Sequence, residues 1–502
     1  MKKLIIHITI GIFAITVFSG CKKFLEQEVP GAFPEQDFYK TDMDAVQAVT
    51  GVYDMMQAHY NTNWGSLYMV KTLLSDECNA GGNDAGDQPG YQTLDDYNFD
   101  ASNDKVQEAW RMCYFTIYRA NKVINNVEEN NELRRRLIGE AKFLRAYNYF
   151  ELATLWGDVP LVLGDIDPAS YSSTGRAPKA EVFAQIEQDL KDAIEVLPLK
   201  SAYSQADKFR VSKGAAQAML GKLYLFQERW GEAATLFDQV ITSNEYDLAP
   251  TVGAAFSRQQ EFGMESLFEI SYTSDRGYDW GNFPWDAAPE SNIHIQLMGP
   301  RGDYYTKAPG DSLIAGWGFI LPTQKLWDAY VNAGDVNRRR ETIMSEQELI
   351  NAGGNWSNPN AYDYEGYFQR KYGSFETQTG GPIGELNYGT NWRHIRFADV
   401  LLMAAEAHYR SDENKARTYL NRVRTRAGLP DVTDSGNDLF EAIVRERQLE
   451  LAFEGMRFQD LLRWGRAPQE LGPRGFVAGK HEVLPIPIYD VRTGNLPQNN
   501  QY

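Results

Sequence analysis

Two stretches, Ser212 to Phe226 and Gly231 to Ser243, place small and large residues where two antiparallel helices must mesh. Leu220, Gly221 and Tyr224 on the first meet Ala233 and Phe237 on the second, at the spacing of a helix–turn–helix repeat unit. Gln217 and Glu245 stand where that pattern usually carries tryptophan and proline. A weaker copy, Ala404, Ala407, Ala416, Leu420 and Val423, lies 183 residues further on, Ala404 matching Gly221. No tandem period of about 34 residues joins the copies, so long insertions separate the units. Pairs of this kind are scaffold and carry no chemistry of their own. They predict a mainly α fold, an interrupted tetratricopeptide-like scaffold with loop-rich insertions.

The remaining pattern agrees. Thr41-Asp42 caps a helix running to about His59, with Ala45, Val49, Val52 and Met56 on one stripe. Helices are expected over about 104–130 and 132–155, the second stopped by Gly157-Asp158-Val159-Pro160, and over 178–196. Residues 76–104 lack a period and read as loop. Residues 247–395 are rich in Gly, Asn, Asp, Pro and aromatics, with strand-like pieces such as Ser266 to Tyr272. A long irregular insertion in a compact protein is usually functional. The tail from His481 to Tyr502, with Pro485, Pro487 and Pro497, reads as extended. The expected organisation is a leader over 1–20, a tether over 21–40, and one body over 41–502. Within that body, 41–246 and 396–502 are the helical parts.

The first twenty residues are an export signal: Lys2 and Lys3, an apolar run from Leu4 to Phe18, then Ser19-Gly20 and Cys21. The run is too short to span a bilayer, which takes about 20 apolar residues. A cysteine directly after small residues is the site at which bacterial lipoproteins are acylated and cut, although Phe18 stands where leucine is usual. Cys21 is therefore the expected lipidation site, and a palmitate-type anchor the expected modification. Cleavage after Gly20 removes Lys2 and Lys3, leaving 48 basic against 68 acidic residues, a net charge of −20. A body this acidic disfavours nucleic acid as a partner. Beyond Cys21 there are two cysteines, Cys78 and Cys113, too few for a disulfide framework.

Catalytic and metal signatures are missing from the sequence: no HExxH, no CxxC, no GxSxG, and no histidine pair at helical spacing among the six. Asp84, Asp87, Asp95 and Asp96 could ligate calcium, but their spacing matches no EF-hand, and acidic turn residues explain them better. No metal or cofactor is expected apart from the covalent lipid. The densest charge run is 445–465, where Glu446, Glu450 and Glu454 are spaced to share one helical face. Two of them could serve as glycosidase acid and base. Arg447, Arg457 and Arg463 lie three or four residues from acids, which favours a structural ion-pair network. Gly455 is the expected end of that helix.

The run IVRERQLELAFEGMRFQDLLRWG (443–465) resembles the C-terminal signature of the SusD/RagB family of outer-membrane lipoproteins. WRMCYFTIYRANKVI (110–124), EAKFLRAYNYFELATLWGDVPLV (140–162), RFADVLLMAAEAH (396–408) and LPIPIYDVRTGNLPQNNQY (484–502) agree in the family's order. The resemblance covers nearly the whole chain after Cys21. It is weakest over 76–104 and 247–395. It implies an α-helical body of about four tetratricopeptide-like units and a ligand side built from inserted loops. It also implies a place on the outer face of the outer membrane and a SusC-like TonB-dependent transporter as partner. Members capture glycans, or in some branches peptides, and are not enzymes.

The shared motifs are scaffold, so the ligand contacts must be argued physically. Sugar C–H faces stack on aromatic rings, and sugar hydroxyls pair with amides, carboxylates and arginine. Trp280, Trp285, Tyr304 and Trp317 in the insertion, and Asp76, Asn83 and Tyr91 in the first loop, are the candidate contacts. Trp356, Tyr362, Tyr364 and Tyr367 form a second candidate cluster, suited equally to a transporter-facing surface. The leading expectation is a glycan-binding surface lipoprotein. A peptide binder, a surface glycosidase and a ligand-free assembly subunit are the alternatives.

Overall fold

The computed structural model describes residues 38–59, 64–165, 168–285 and 289–502. The leader, Cys21 and residues 22–37 of the tether lie outside the described residues. Helix α1 (Asp42–His59) starts where Thr41 accepts the Asp44 N–H at 3.2 Å and Asp44 accepts the Thr41 N–H at 2.7 Å. Its stripe of Ala45, Val49, Val52 and Met56 is fully buried. A short helix α2 (Leu67–Leu73) follows. Helix α4 (Asp104–Asn126) is capped by Asn103, and α5 (Glu132–Trp156) by Asn131, each side chain accepting first-turn N–H groups. Next come α6 (Lys179–Val196), α7 (Lys213–Phe226) and α8 (Trp230–Thr242), then, after the insertion, α11 (Phe397–His408), α12 (Glu413–Ala427) and α13 (Gly436–Glu450).

Helices α4 and α5, α5 and α6, α7 and α8, and α11 and α12 pack as neighbours, and α8 packs on α11, so the two repeat copies join. The small-residue argument holds in detail. A Cβ on Gly221 would lie 2.5 Å from the Phe237 ring, so only glycine admits that ring at this distance. The protein is mainly helical, as the repeat pattern predicts.

Three segments depart from expectation. Residues 76–104 hold strand β1 (Cys78–Gly81) and helix α3 (Pro89–Asp95), with proline in its first turn, where a missing N–H costs nothing. The insertion carries β2 (Ser266–Ile270), β3 (Tyr305–Thr306), β4 (Phe319–Pro322), α9 (Gln324–Asn332), α10 (Val336–Thr342), β5 (Ile343–Ser345), β6 (Asn355–Trp356), β7 (Tyr367–Gln369) and β8 (Trp392–Arg396). These strands pair antiparallel as β1·β4, β2·β8, β3·β6 and β5·β7. β2 falls within the strand-like stretch Ser266 to Tyr272, and the other strands are too short for a period to show in sequence. In the tail, α15 (Ile488–Thr493) follows α14 (Arg457–Arg463), starting directly after Pro487. The tail is pinned by Trp156 Nε1, which donates to the Pro485 carbonyl at 3.1 Å. Cys78 is a buried thiol and forms no disulfide with Cys113.

The charge run is an ion-pair network, and most of its partners are distant in sequence. Helix α13 ends at Glu450, five residues before Gly455, so Glu454 reaches the same place from a turn. Arg338 on α10 contacts Glu446 at 2.7 Å and Glu450 at 2.8 Å. Arg396 on β8 contacts Glu265 and Glu450 at 2.6 Å and Glu454 at 2.7 Å. Lys371 reaches Glu454 at 2.8 Å, Arg424 reaches Glu446 at 2.9 Å, and Arg426 reaches Glu450. Burial pushes the Glu450 carboxyl up, but Arg426, Arg396 and Arg338 outweigh it and hold it well below the usual range. Arg447 pairs with Asp399 and Asp460, Arg457 with Asp76, and Arg463 with Glu406 and, at the three-residue spacing expected, with Asp460 at 2.8 Å. All three glutamates are buried and salt-bridged, which removes them as a glycosidase pair.

Candidate ligand-binding cleft

Four tryptophans from three separated segments form one wall. Trp64, just before α2, has its ring centroid 5.3 Å from Trp285 and 5.1 Å from Trp317, at interplanar angles of 42° and 49°. Trp280 stacks on Trp285 at 6.0 Å and 15°. Trp280 is 49% exposed and Trp285 37%, while Phe283 backs Trp285 at 4.5 Å. Phe283, with Ile293 and Leu386, is a small satellite core that anchors the loop. Trp64 and Trp317 line a cleft of about 600 Å³ together with Asp87, Gln88, Gln296, Arg301, Asp303 and Glu385, and Trp285 and Trp280 continue the aromatic row outward from Trp64. The cleft lining combines the two indoles, Leu297 and Phe319 with hydrogen-bonding side chains, the mixture expected where sugar rings stack and sugar hydroxyls are read.

Strained backbone surrounds this cleft. Trp64 has φ 58° and Gln88 φ 52°, and Ile320, just beyond Trp317, has φ 53°. Left-handed backbone costs an L residue roughly 1–2 kcal/mol, and a β-branched residue there is rare. Trp317 itself is set by a tight backbone approach. Its N–H donates to the Gln296 carbonyl at 2.9 Å, and a Cβ on Gly316 would lie 2.5 Å from that same oxygen. Strain held by the surrounding structure is common at ligand clamps.

The sequence candidates divide. Trp280, Trp285 and Trp317 are brought together. Asn83 is exposed on the rim loop, where its N–H donates to Asp87 at 3.0 Å. Tyr304 lies half-buried beside Asp303 but turns away, edge-on to Trp356 at 5.4 Å. Trp356, Tyr364 and Phe368 form a second satellite core, and Tyr367 stacks on Trp327 at 4.7 Å, so that cluster anchors a loop. Asp76 and Tyr91 must be corrected as ligand contacts. Asp76 is buried against Arg457 at 2.9 Å and Lys325 at 2.7 Å. Burial pushes its carboxyl up, yet the two cations hold it at about 2. Tyr91 is completely buried, and its hydroxyl donates to the Trp64 carbonyl at 2.6 Å. Trp64 went unrecognised in the sequence, although Asn63-Trp64-Gly65 has the same polar-plus-aromatic composition that marked the other loops.

A larger depression, about 790 Å³, lies beside α12 and is lined by Arg417, Arg422 and Arg426. Each arginine there is already paired, with Glu413, Asp247 and Glu450, so it presents no spare charge. Among the described residues no group of three or more metal-ligating side chains forms, and no helix is long and apolar enough to cross a membrane.

A tetratricopeptide-type helical body with an aromatic cleft built on inserted loops is the form of a binding protein. Comparison with known proteins agrees. Residues 336–494 match the model of the SusD family, and residues 23–225 match a family described as starch-binding associating with outer membrane. SusD-like protein P2 of Formosa agariphila is 28% identical over 100% of this chain and 99% of its own. Among solved structures, a laminarin binding SusD-like protein superposes with TM-score 0.83 and 32% identity, covering 92% of this chain and 100% of that one. Surface glycan-binding protein A from Bacteroides thetaiotaomicron, in complex with laminarihexaose, shares the fold at TM-score 0.78 and 24% identity, over 92% and 100% of the two chains. The chain belongs to the SusD/RagB family.

Proposed function

We propose that the chain is a glycan-capturing lipoprotein of the outer-membrane surface, anchored through lipid on Cys21, that passes its ligand to a SusC-like TonB-dependent transporter. The observation that carries this reading is the row of Trp280, Trp285, Trp64 and Trp317, with Trp280 and Trp285 partly exposed and Trp64 and Trp317 lining a cleft that also holds polar side chains. Stacked indole faces suit sugar rings and offer little to a peptide backbone, which needs N–H and C=O partners. The matched family description supports the outer-membrane setting, the family resemblance implies the transporter, and the laminarin-binding relative at 32% identity suggests the first ligand to try. In this reading the protein binds and does not cleave.

Affinity electrophoresis against a panel of polysaccharides and peptides tests it. Retardation is expected in laminarin-type glucan gels, and incubated laminarin should keep its chain length. Peptide binding without any glycan retardation, or shortening of the glucan, would overturn the proposal. Loss of the surface-exposed, lipid-labelled form on Cys21→Ser tests the anchor.

A further inference from the structure

Among the residues lining the cleft, Arg301 is the one base. Its Nε lies 2.9 Å from the Asp303 carboxylate, and its Nη1 sits 3.7 Å from Asp87 and donates to the Trp317 carbonyl at 3.2 Å. Glu385 is a third carboxylate on the lining. Three acids thus share the lining with one guanidinium, within a chain of net charge −18. We infer that the cleft selects uncharged glycans and rejects sulfated or uronate-rich ones; this rests on the glycan reading of the same cleft. A sulfate or carboxylate needs a charge-assisted donor to replace its water, and here the single guanidinium is outnumbered by carboxylates, one of them 2.9 Å from its Nε. Neutral hydroxyls need acceptors, which Asp87, Asp303 and Glu385 provide.

Laminarin and its chemically sulfated derivative share one backbone and differ in charge. Titration calorimetry at 50 and 500 mM NaCl should find the sulfated chain at least tenfold weaker at low salt, with the gap narrowing at high salt as charge is screened. Neutral binding should be nearly independent of salt. The pair Asp303→Asn and Glu385→Gln should shift the affinity ratio at least fivefold toward the sulfated chain, which bulk alone would not do. Equal or tighter binding of sulfated laminarin at low salt overturns the selectivity. Binding of neither chain overturns the glycan reading with it.

A separate observation concerns Tyr91. Burial raises its phenol well above the usual range, so it remains a donor to the Trp64 carbonyl, and Lys105 sits 5.1 Å over its ring. His294, also fully buried, hydrogen-bonds the Trp64 backbone and is pushed by burial to about 3, so it stays neutral. We propose that Tyr91 is a positioning residue that holds Trp64 in its left-handed conformation between Trp285 and Trp317. Tyr91→Phe should weaken laminarin binding at least fivefold and alter the near-UV circular dichroism of the coupled indoles. Tyr97→Phe removes a comparable buried bond, from phenol to the Leu74 carbonyl, away from the cleft, and should leave affinity and spectrum unchanged. Wild-type affinity and spectrum in Tyr91→Phe, with binding lost in Trp64→Ala, overturn this role and spare the cleft. Retained binding in Trp64→Ala overturns both.

Discussion

Replacing Arg396 by methionine removes the hub of the buried ion-pair network. The guanidinium donates five hydrogen bonds of 2.6–2.7 Å, to the carboxylates of Glu265, Glu450 and Glu454 and to the Glu450 carbonyl. The cluster is balanced: Glu265, Asp335, Glu446, Glu450 and Glu454 face Arg338, Lys371, Arg396, Arg424 and Arg426. Methionine fills similar volume but leaves one buried negative charge uncompensated. Breaking a buried pair in this way costs about 3–5 kcal/mol, a large part of a typical total of roughly 5–15 kcal/mol. Urea unfolding followed by tryptophan fluorescence should show a midpoint lowered accordingly, and melting should fall by roughly 3–5 °C. Arg396→Lys should recover less than half, because an ammonium cannot fork to three carboxylates. Adding Glu454→Gln to the methionine variant should restore part of the loss by removing the stranded charge. A midpoint within about 0.5 kcal/mol of wild type, or full rescue by lysine, would refute the reasoning.

Gly221→Ala forces a Cβ to 2.5 Å from the Phe237 ring, so α7 and α8 must separate; about 1–3 kcal/mol should be lost in urea unfolding with glycan affinity retained. Gly316→Ala drives a Cβ into the Gln296 carbonyl, and calorimetry should show weaker glycan binding as Trp317 shifts. Burial, with Asp76 beside it, pushes Glu77 up to about 8. A folded pKa raised above the unfolded value gives stability that is full at acid pH and declines as pH rises from about 4.5 to about 8. Glu77→Gln should flatten melting temperature against pH across that window, and an unchanged slope would contradict the assignment.

The helical scaffold was legible because its signals are local. Asn103, Asn131 and Ser212 cap within three residues of the groups they bond, and the Gly221–Phe237 fit lies inside one helix pair. The ion-pair network was legible as chemistry but not as geometry. Glu446 and Glu450 find partners 108 and 112 residues away in Arg338, a relation no spacing rule contains. The cleft was half legible. An aromatic in a polar loop marks Trp280, Trp285 and Trp317 equally with Trp356 and Tyr304, and only packing shows that the latter two brace a satellite core. Asp76 and Tyr91 sit in a loop by composition but in the interior by fold, since Arg457 lies 381 residues from Asp76. Apart from β2, which the strand-like Ser266 to Tyr272 announces, the strands of the insertion hold too few residues for a period to show.

The central claim is that the tryptophan wall holds the glycan. Isothermal titration of laminarin into the wild type, Trp64→Ala and Trp285→Ala proteins tests it directly, with urea midpoints as a folding control. Each lost stacking face should cost about 1–1.5 kcal/mol or more, roughly tenfold in affinity, with little change in the unfolding midpoint. Wild-type affinity in both variants would contradict the account.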